Sequence, residues 1–258
     1  MMNEELKKQL RNRRICVVIP TYNNDKTIKT VVEKCLLYCD DVIVVTDGCT
    51  DRTTDILHAI DGITIVSYPQ NRGKGYALKM GFRRALEMGF SYAITLDGDG
   101  QHYPEDIPLF LKANQQHPQS LIIGSRQLEG VDRSKGSSFA NKFSNFWFYV
   151  QTGRALPDTQ TGYRLYPLHR LHGLSLLTSR YEAELELLVF ASWHGVKLVP
   201  IPVQVYYPPR NERVSHFRPG KDFARISVLN TVLCFLAVVY GLPLRLCRAL
   251  MTILRTVY

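Results

Sequence analysis

Short apolar runs that alternate with helical patterns constrain the fold of this chain more than any other feature. The first four runs cover residues 15–20, 41–46, 63–68 and 91–96, and continuous runs of this kind are typical of strands buried on both faces. Helical patterns at residues 26–38, after Thr50 or Asp51, and from the 71–75 segment through Met88 separate them. This alternation predicts βαβ units, and hence an α/β fold with a mostly parallel sheet flanked by helices.

Polar residues follow each of these four predicted strands. They are residues 21–23, Asp47, residues 71–75, Asp97 and Asp99. Because ligands of such sheets bind beyond the carboxyl ends of the strands, these residues predict a Rossmann-like nucleotide site. No G-x-G-x-x-G segment follows the first strand and no P-loop lysine motif is present, which disfavours NAD enzymes and P-loop NTPases.

The fourth strand delivers the segment Asp-Gly-Asp-Gly-Gln-His at residues 97–102. In an extended chain Asp97, Asp99 and Gln101 share a face, and two carboxylates with an amide suit Mg²⁺ or Mn²⁺. An EF-hand loop would require glycine at His102 and glutamate at Pro108, so calcium binding of that type is excluded. An acidic turn after a strand remains the alternative for this segment taken alone.

Four motifs together resemble a known family. Val-Ile-Pro-Thr-Tyr-Asn (18–23), Asp-Gly-Cys-Thr-Asp (47–51), Asn-Arg-Gly-Lys-Gly (71–75) and the 97–102 segment are similar to family 2 glycosyltransferases of the GT-A fold. Within that family they look most like the polyprenyl-phosphate, dolichol-phosphate mannose synthase-like sugar transferases. The resemblance extends over residues 14–221. The sequence departs from it at Thr46 and Asn24, where relatives carry acids, which leaves the base and sugar of the donor open.

The resemblance implies a set of site residues. Those expected to bind the nucleotide-sugar donor are Pro20, Tyr22, Asn23, Asp47, Asn71, Gly73, Lys74, Gly75, Asp97, Gln101, Arg213, Ser215 and His216. Asp99, with Asp97 and Gln101, is expected to hold Mg²⁺ or Mn²⁺. Catalysis is expected to involve Asp97, Asp99, Asp158 and Arg126.

The second half is expected to receive the acceptor. A buried strand at residues 121–125 precedes a predicted mobile loop, residues 127–141. Phosphate-binding candidates there are Arg126, Arg133, Lys135 and Lys142, each of which is otherwise a solvated surface charge. The resemblance places Arg126 first among them. The segment 158–166 resembles the acceptor-side element of the family, and its alternative is a turn capped by Asp158.

Two further elements are predicted beyond that segment. A helix at residues 180–194 should bury Leu185, Leu188 and Val189, with Glu182 or Glu184 supporting the site and the remaining glutamates solvated. A strand at residues 197–206 should lie at a sheet edge, because it contains Pro200 and Pro202.

Composition limits the partners. The 258 residues carry a net charge of +9, much of it after Arg126, which fits anionic lipids or phosphorylated substrates. No nucleic-acid-binding motif accompanies that charge, so nucleic acid is disfavoured. The six cysteines show no CxxC or zinc spacing, and the polar N-terminus is not a secretory signal, which favours a reduced cytosolic compartment.

The C-terminal region predicts a membrane contact. Residues 226–244 contain no charged residue, and this run is long enough to span a membrane. Against a span, the run is interrupted by Asn230, Thr231, Gly241 and Pro243, and the mean hydropathy of the whole chain is only -0.11. Residues 242–258 are amphipathic, with arginines on one side, as in an interfacial helix. We expect a surface or re-entrant anchor on the cytoplasmic face of a membrane. A pair of core-packing helices is the alternative.

These observations predict a glycosyltransferase domain at residues 1–222 and a membrane anchor at residues 223–258. The predicted reaction is inverting transfer of a hexose, from a UDP-glucose or GDP-mannose type donor, to a polyprenyl phosphate for a cell envelope glycan. One alternative is a hydroxyl acceptor of a glycolipid or saccharide, which would need Asp158 or Glu182 as base. Another is a catalytically silent nucleotide-sugar-binding membrane protein. The oligomeric state, including a homo-oligomer, is left open.

Overall fold

The computed structural model describes residues 2–126, 135–174, 176–206 and 219–257, and its centre is a seven-stranded mixed sheet. The strands are β1 (Ile15–Thr21), β2 (Val42–Asp47), β3 (Ile63–Tyr68), β4 (Tyr92–Thr95), β5 (Leu121–Arg126), β6 (Arg164–Pro167) and β7 (Leu198–Val203). Their order is β3-β2-β1-β4-β6-β5-β7. The strands pair in parallel except for β6, which runs antiparallel to β4 and β5. The predicted α/β fold with a mostly parallel sheet is therefore confirmed.

The helices cover both faces of this sheet. They are α1 (Met2–Asn12), α2 (Ile28–Tyr38), α3 (Thr53–His58), α4 (Lys74–Glu87), α5 (Ile107–Gln116), α6 (Lys135–Thr152), α7 (Leu168–Leu171), α8 (Glu182–Trp193), α9 (Pro219–Leu236) and α10 (Leu242–Val257), with a 3₁₀ turn at Pro104–Asp106 and a π turn at Ala237–Gly241.

Alternate side chains of β1, an inner strand of the sheet, enter two separate cores. Val17 and Ile19 of β1 pack with α1, α2 and α5, whereas Cys16 and Val18 pack with α4 and α8 on the other face. All seven residues of β1 are buried, as its continuous apolar run predicted. Because β1 pairs in parallel with both β2 and β4, the carboxyl ends of these three strands lie side by side at one edge of the sheet.

The predicted loop at residues 127–141 is partly wrong. Residues 127–134 lie outside the described part of the chain, but α6 begins at Lys135, so residues 135–141 are helical. Asn141, Ser144 and Phe148 of this helix are buried, because α6 packs against α8 and α9. Polar composition at the start of α6 concealed a helix that tertiary packing stabilises.

Helix α8 is buried on every side, which corrects the predicted single buried face and the predicted solvated glutamates. It lies among α4, α6, α9 and α10, and Glu182, Glu184 and Glu186 are each buried. Glu186 accepts hydrogen bonds from the backbone N–H groups of Leu177 and Thr178, at 2.5 and 2.9 Å. A buried carboxylate is tolerated there because its oxygens have these donors.

Strand β7 lies at the edge of the sheet, as Pro200 and Pro202 predicted. Proline has no N–H to donate, and an edge strand needs only one of its two sides paired.

The C-terminal helices pack along the domain. Ala224–Met251 is the one stretch of the described chain that is long and apolar enough to cross a membrane. The predicted interruptions do not end the helix: the π turn at Ala237–Gly241 precedes Pro243 and α10 continues. Leu229 and Leu233 are buried beside α8, and Gly241 lies against the ring of Trp193.

Two arginines of α10, a helix predicted to be amphipathic with its arginines on one side, point back into the protein. Arg245 Nη1 donates to the carbonyl oxygen of Thr152 at 2.6 Å, and Arg248 Nη1 donates to that of Trp193 at 3.5 Å. Thr152 and Trp193 are the last residues of α6 and α8. Helix ends leave carbonyl groups unsatisfied and negatively polarised, so a cation there is stabilising.

The contact of Gly241 with Trp193 gives a testable expectation. A Cβ at residue 241 would lie 2.6 Å from the indole ring. We expect Gly241→Ala to lower the free energy of unfolding by about 1–3 kcal/mol, the usual cost of overpacking. Chemical denaturation followed by tryptophan fluorescence measures it.

Gly220→Ala is the matched control, because nothing lies within 4 Å of a Cβ there. Alanine at residue 220 should be neutral or stabilising. Equal loss of stability in both variants would contradict the packing described here.

Candidate active site

The carboxyl edge of the sheet gathers the polar segments that follow β1, β2, β3 and β4. Pro20 belongs to β1 itself, and Tyr22 and Asn23 follow the strand. Asn23 adopts a positive φ of 52° and exchanges hydrogen bonds with Thr50 beyond β2, at 2.8 and 3.1 Å. Asparagine tolerates this conformation better than most residues. The loops after β1 and β2 are thus tied together beside the site.

Asp47 organises the 71–75 segment. Its carboxylate accepts hydrogen bonds from the backbone N–H groups of Arg72 (2.7 Å) and Gly73 (2.8 Å), and only 3% of the residue is exposed. Asn71 precedes Arg72 in this loop, and its backbone nitrogen packs closely against Gly48. The described contacts therefore give Asp47 the role of fixing the loop that starts α4.

Lys74 is the first residue of α4 and lies between two carboxylates. Its Nζ is 2.6 Å from Asp97 Oδ1 and 2.8 Å from Glu184 Oε2. Burial has the largest effect on the pKa of Asp97 and raises it, but the charge and hydrogen bond of Lys74, together with His102 and Arg164, hold that pKa below its ordinary value. Gly75 allows α4 to approach α8, since a Cβ there would be 2.3 Å from Ala183 Cβ.

Asp99 differs from Asp97 in its surroundings. Burial, together with the like charge of Asp97, raises the pKa of Asp99 to about 6. Asp99 Oδ1 accepts a hydrogen bond from Gln101 N at 3.0 Å. A carboxylate destabilised by burial and a neighbouring charge gains from a cation placed beside it.

The donor set fits a hard divalent cation only in part. Among the described residues, no three His, Cys, Asp or Glu side chains form a ligand cluster. Asp99 is the carboxylate best placed to ligate, because Asp97 is already paired with Lys74. Mg²⁺ is typically bound through one or two carboxylates plus substrate phosphates, and this site fits that mode.

A pocket of about 410 Å³ opens beside Asp99. It lies between α2 and the 99–104 segment, and Lys26, Thr27, Thr30 and Tyr206 also line it. This space is in the range of ligand pockets.

His102 holds the backbone of Asp97. Its Nδ1 accepts a hydrogen bond from Asp97 N at 3.2 Å, which assigns the proton to Nε2. Burial lowers the pKa of His102 to about 4, although the charge of Asp97 opposes it. The ring is therefore neutral near pH 7 and packs on Tyr163.

Arg126 and Asp158 form a bidentate ion pair on the other side of the site. Arg126 Nε and Nη2 lie 2.6 and 2.9 Å from the two carboxylate oxygens of Asp158. Asp158 also accepts from the backbone N–H groups of Arg126 and Gln160, and 1% of it is exposed. Arg126, at the end of β5, is held in one orientation by this pair.

The remaining predicted residues are distributed unevenly. Lys142 is exposed on α6, and Lys135 begins that helix. Arg133, Arg213, Ser215 and His216 lie outside the described residues, so their predicted roles stay predictions.

Sequence reasoning did not assign Arg164. This residue of β6 is fully buried and donates to the carbonyl oxygens of Glu184 and Thr159, each at 2.9 Å. It ties the first turn of α8 to the segment that carries Asp158. Its place in a Gly-Tyr-Arg motif marked it as polar and near the site, but no pattern shows that the guanidinium points inward.

The mixed sheet with carboxylates at its carboxyl edge is the arrangement of GT-A-like sugar transferases. The family model for glycosyl transferase family 2 matches residues 16–166, more than half of the 258-residue chain. The chain belongs to glycosyltransferase family 2.

Named relatives and a solved structure agree with this membership. The UDP-N-acetylglucosamine–dolichyl-phosphate N-acetylglucosaminyltransferase of Methanococcus voltae is 28% identical over 216 residues, covering 75% of this chain and 86% of the relative. The undecaprenyl-phosphate mannosyltransferase of Micrococcus luteus is 27% identical over 202 residues, covering 74% and 82%. A crystal structure of Mycobacterium tuberculosis glucosyl-3-phosphoglycerate synthase with Mn²⁺, UDP and phosphoglyceric acid superposes with a TM-score of 0.67 at 19% identity, over 91% and 82% of the two chains. At that identity the likeness concerns the fold alone.

Proposed function

We propose that this glycosyltransferase is an inverting hexosyltransferase that moves a hexose from a nucleotide diphosphate sugar to a polyprenyl phosphate. The donor is of the UDP-glucose or GDP-mannose type, and Mg²⁺ or Mn²⁺ assists. The names of the two relatives described above, both of which act on polyprenyl phosphates, support this acceptor class.

The Arg126–Asp158 pair is the observation that carries the proposal. A hydroxyl acceptor needs a base, but Asp158 is committed to four hydrogen bonds from Arg126 and Gln160. A phosphate acceptor is already anionic near pH 7, because its second pKa is about 6. It requires a positioned cation, and Asp158 orients Arg126 as one.

The donor side supplies the remaining chemistry. A divalent ion held by Asp99 would neutralise charge that develops on the leaving diphosphate. Asp97, fixed by Lys74 and by the His102 hydrogen bond to its backbone, presents a second carboxylate beside the donor. In this proposal the nucleotide binds near Tyr22, Asn23 and the loop that Asp47 holds, because hydrogen bonds fix both of these loops at the carboxyl edge of the sheet.

A transfer assay tests the proposal directly. Detergent-solubilised protein would be incubated with Mg²⁺ or Mn²⁺, a panel of nucleotide sugars, and undecaprenyl or dolichyl phosphate. A chloroform-soluble glycosyl phosphate that disappears with a chelator is the expected product. Nucleotide release only with hydroxyl acceptors, abolished by Glu182→Gln, would favour the alternative acceptor. Binding of a donor without any turnover would indicate a silent nucleotide-sugar-binding protein.

A lipid acceptor requires contact with a membrane surface, and one side of the molecule suits it. We define the apolar face as the exposed apolar side chains of α6, α9, the π turn and α10: Phe146, Tyr149, Val150, Val228, Val232, Phe235, Val238, Val239, Tyr240, Leu242, Leu246, Leu250 and Met251. Arg245 and Arg248 attach α10 to the ends of α6 and α8, so the helix lies along the domain. This geometry supports a helix in the plane of the membrane surface.

The apolar face gives a second expectation. Replacing Leu246 and Leu250 with aspartate should abolish co-flotation with vesicles of phosphatidylcholine and phosphatidylglycerol, because charged residues at an apolar lipid boundary are costly. Circular dichroism confirms that the variant folds.

Leu37→Asp is the matched control for this measurement. Leu37 is 55% exposed, against 57% for Leu246, but it lies on α2, which covers the opposite face of the sheet. Flotation that survives in the Leu246 and Leu250 variant, or is lost equally with Leu37→Asp, would contradict the assignment of this face.

A further inference from the structure

Glu184 and Lys74 form a buried charge pair that reaches the donor carboxylate Asp97. The three residues come from three different elements: Lys74 begins α4, Asp97 follows β4, and Glu184 lies in the first turn of α8. Side-chain exposures of 15%, 27% and 10% place the pair mostly away from water. Interactions between charges are stronger in such surroundings than at the surface.

The surroundings of the pair are built to accommodate it. Gly162 faces it, and a Cβ at that position would lie 2.6 Å from Lys74 Nζ and 3.0 Å from Asp97 Oδ2. The carbonyl of Glu184 is fixed by Arg164 at 2.9 Å, so the first turn of α8 has a defined position. Any side chain at residue 162 would displace the ammonium from Asp97.

In the described part of the chain, the two carboxylate oxygens of Glu184 differ in their surroundings. Its Oε2 lies 2.8 Å from Lys74 Nζ, whereas its Oε1 is buried and without a hydrogen-bond partner in the described part of the chain. Leaving a buried carboxylate oxygen unsatisfied is costly. The cost is offset by the charge that Glu184 presents to Lys74.

We propose that Glu184 is a positioning residue of the transfer site, which acts through Lys74 to fix the orientation of Asp97 at the donor. The inference rests on the proposed function, because Asp97 is taken to contact the donor. Lys74 bridges the two carboxylates and so pairs with Asp97, which leaves Asp99 as the carboxylate available to the metal. In this assignment Glu184 acts through Lys74 and not by contact with the donor or the acceptor.

A double-mutant cycle tests whether Glu184 acts through Lys74. Glu184→Gln keeps the shape but removes the charge, and we expect kcat for transfer to fall about 10- to 100-fold, as for the loss of one charge-assisted hydrogen bond. Lys74→Met should cost at least as much. Because the two act as one unit, the double variant should be no worse than Lys74→Met alone. Additive losses would overturn the proposal.

Glu186→Gln is the control for a merely structural effect. Glu186 is a buried glutamate of the same helix, but it bonds the backbone of Leu177 and Thr178 instead of Lys74. It should lower thermal stability, and its effect on kcat should add to that of Lys74→Met. A coupling to Lys74 equal to that of Glu184 would contradict a specific role for Glu184.

A readout that needs no turnover separates this inference from the proposed function. A lysine ammonium fixed by two carboxylates exchanges its protons slowly, so the Lys74 ¹⁵Nζ resonance should be observable in the wild type and identified by its absence in Lys74→Met. It should vanish in Glu184→Gln and persist in Glu186→Gln. Persistence in Glu184→Gln would refute the positioning role. Absence of transfer to polyprenyl phosphate with this pattern intact would refute only the acceptor assignment.

Discussion

Asp99→Asn is expected to lower the rate of sugar transfer about 10³-fold, since metal and oxyanion stabilisation typically contribute several kcal/mol to such reactions. The amide keeps the size of the side chain and an oxygen that can accept the hydrogen bond from Gln101 N. It removes the charge that a divalent ion requires. Steady-state kinetics at increasing Mn²⁺, with donor in excess, measures the loss.

The thermal stability of Asp99→Asn, unlike its activity, should not fall. Asp99 carries a carboxylate whose charged form is disfavoured by burial and by Asp97. Removing it should leave the melting temperature unchanged or raise it when no metal is present. Asp99→Asn with nearly wild-type, chelator-sensitive transfer would contradict its assignment as the metal ligand.

Arg126→Ala is expected to reduce kcat/KM for polyprenyl phosphate about 100-fold, the value of one strong charge-assisted hydrogen bond, with the KM for the donor little changed. Asp158→Asn should produce a smaller loss of the same kind, because it releases Arg126 from its fixed orientation. Arg126→Lys should recover only part of the rate, since an ammonium cannot form the bidentate pair.

The two variants together separate the acceptor classes. If Asp158 were a base for a hydroxyl acceptor, Asp158→Asn would be the more damaging change and Arg126→Ala the milder one. Melting temperatures must accompany the kinetics, because breaking a buried ion pair leaves one charge without its partner. A loss that follows stability alone in both variants would count against a role at the acceptor.

The sequence predicted the central sheet because β1, β2 and β4 are continuous apolar runs, and burial on both faces is the interpretation that such runs favour. The sequence did not predict the full burial of α8, because hydrophobic periodicity assigns charged side chains to the solvent. A helix enclosed on every side carries glutamates whose partners, Lys74 and the backbone at residues 177–178, come from distant segments. Periodicity reports which face of a helix is apolar, but it carries no information about a buried charge with a remote partner.

The candidate site shows the same division. Asp47, Asp97 and Asp99 could be predicted to lie at one edge because each ends or follows a strand, and the carboxyl ends of parallel strands meet. The pairing of Arg126 with Asp158 joins residues 32 positions apart and was not predicted. It depends on β5 and β6 pairing antiparallel, a register that no local pattern specifies.

The attachment of α10 to the ends of α6 and α8 has a practical consequence for handling this protein. Leu229 and Leu233 fill the same core as α8, and Arg245 and Arg248 satisfy the last carbonyl groups of two other helices. A chain shortened at residue 222 would uncover Trp193 and leave those carbonyl groups without their cations. A detergent-free sample is better sought by replacing outward-facing leucines of α10 with polar residues than by truncation.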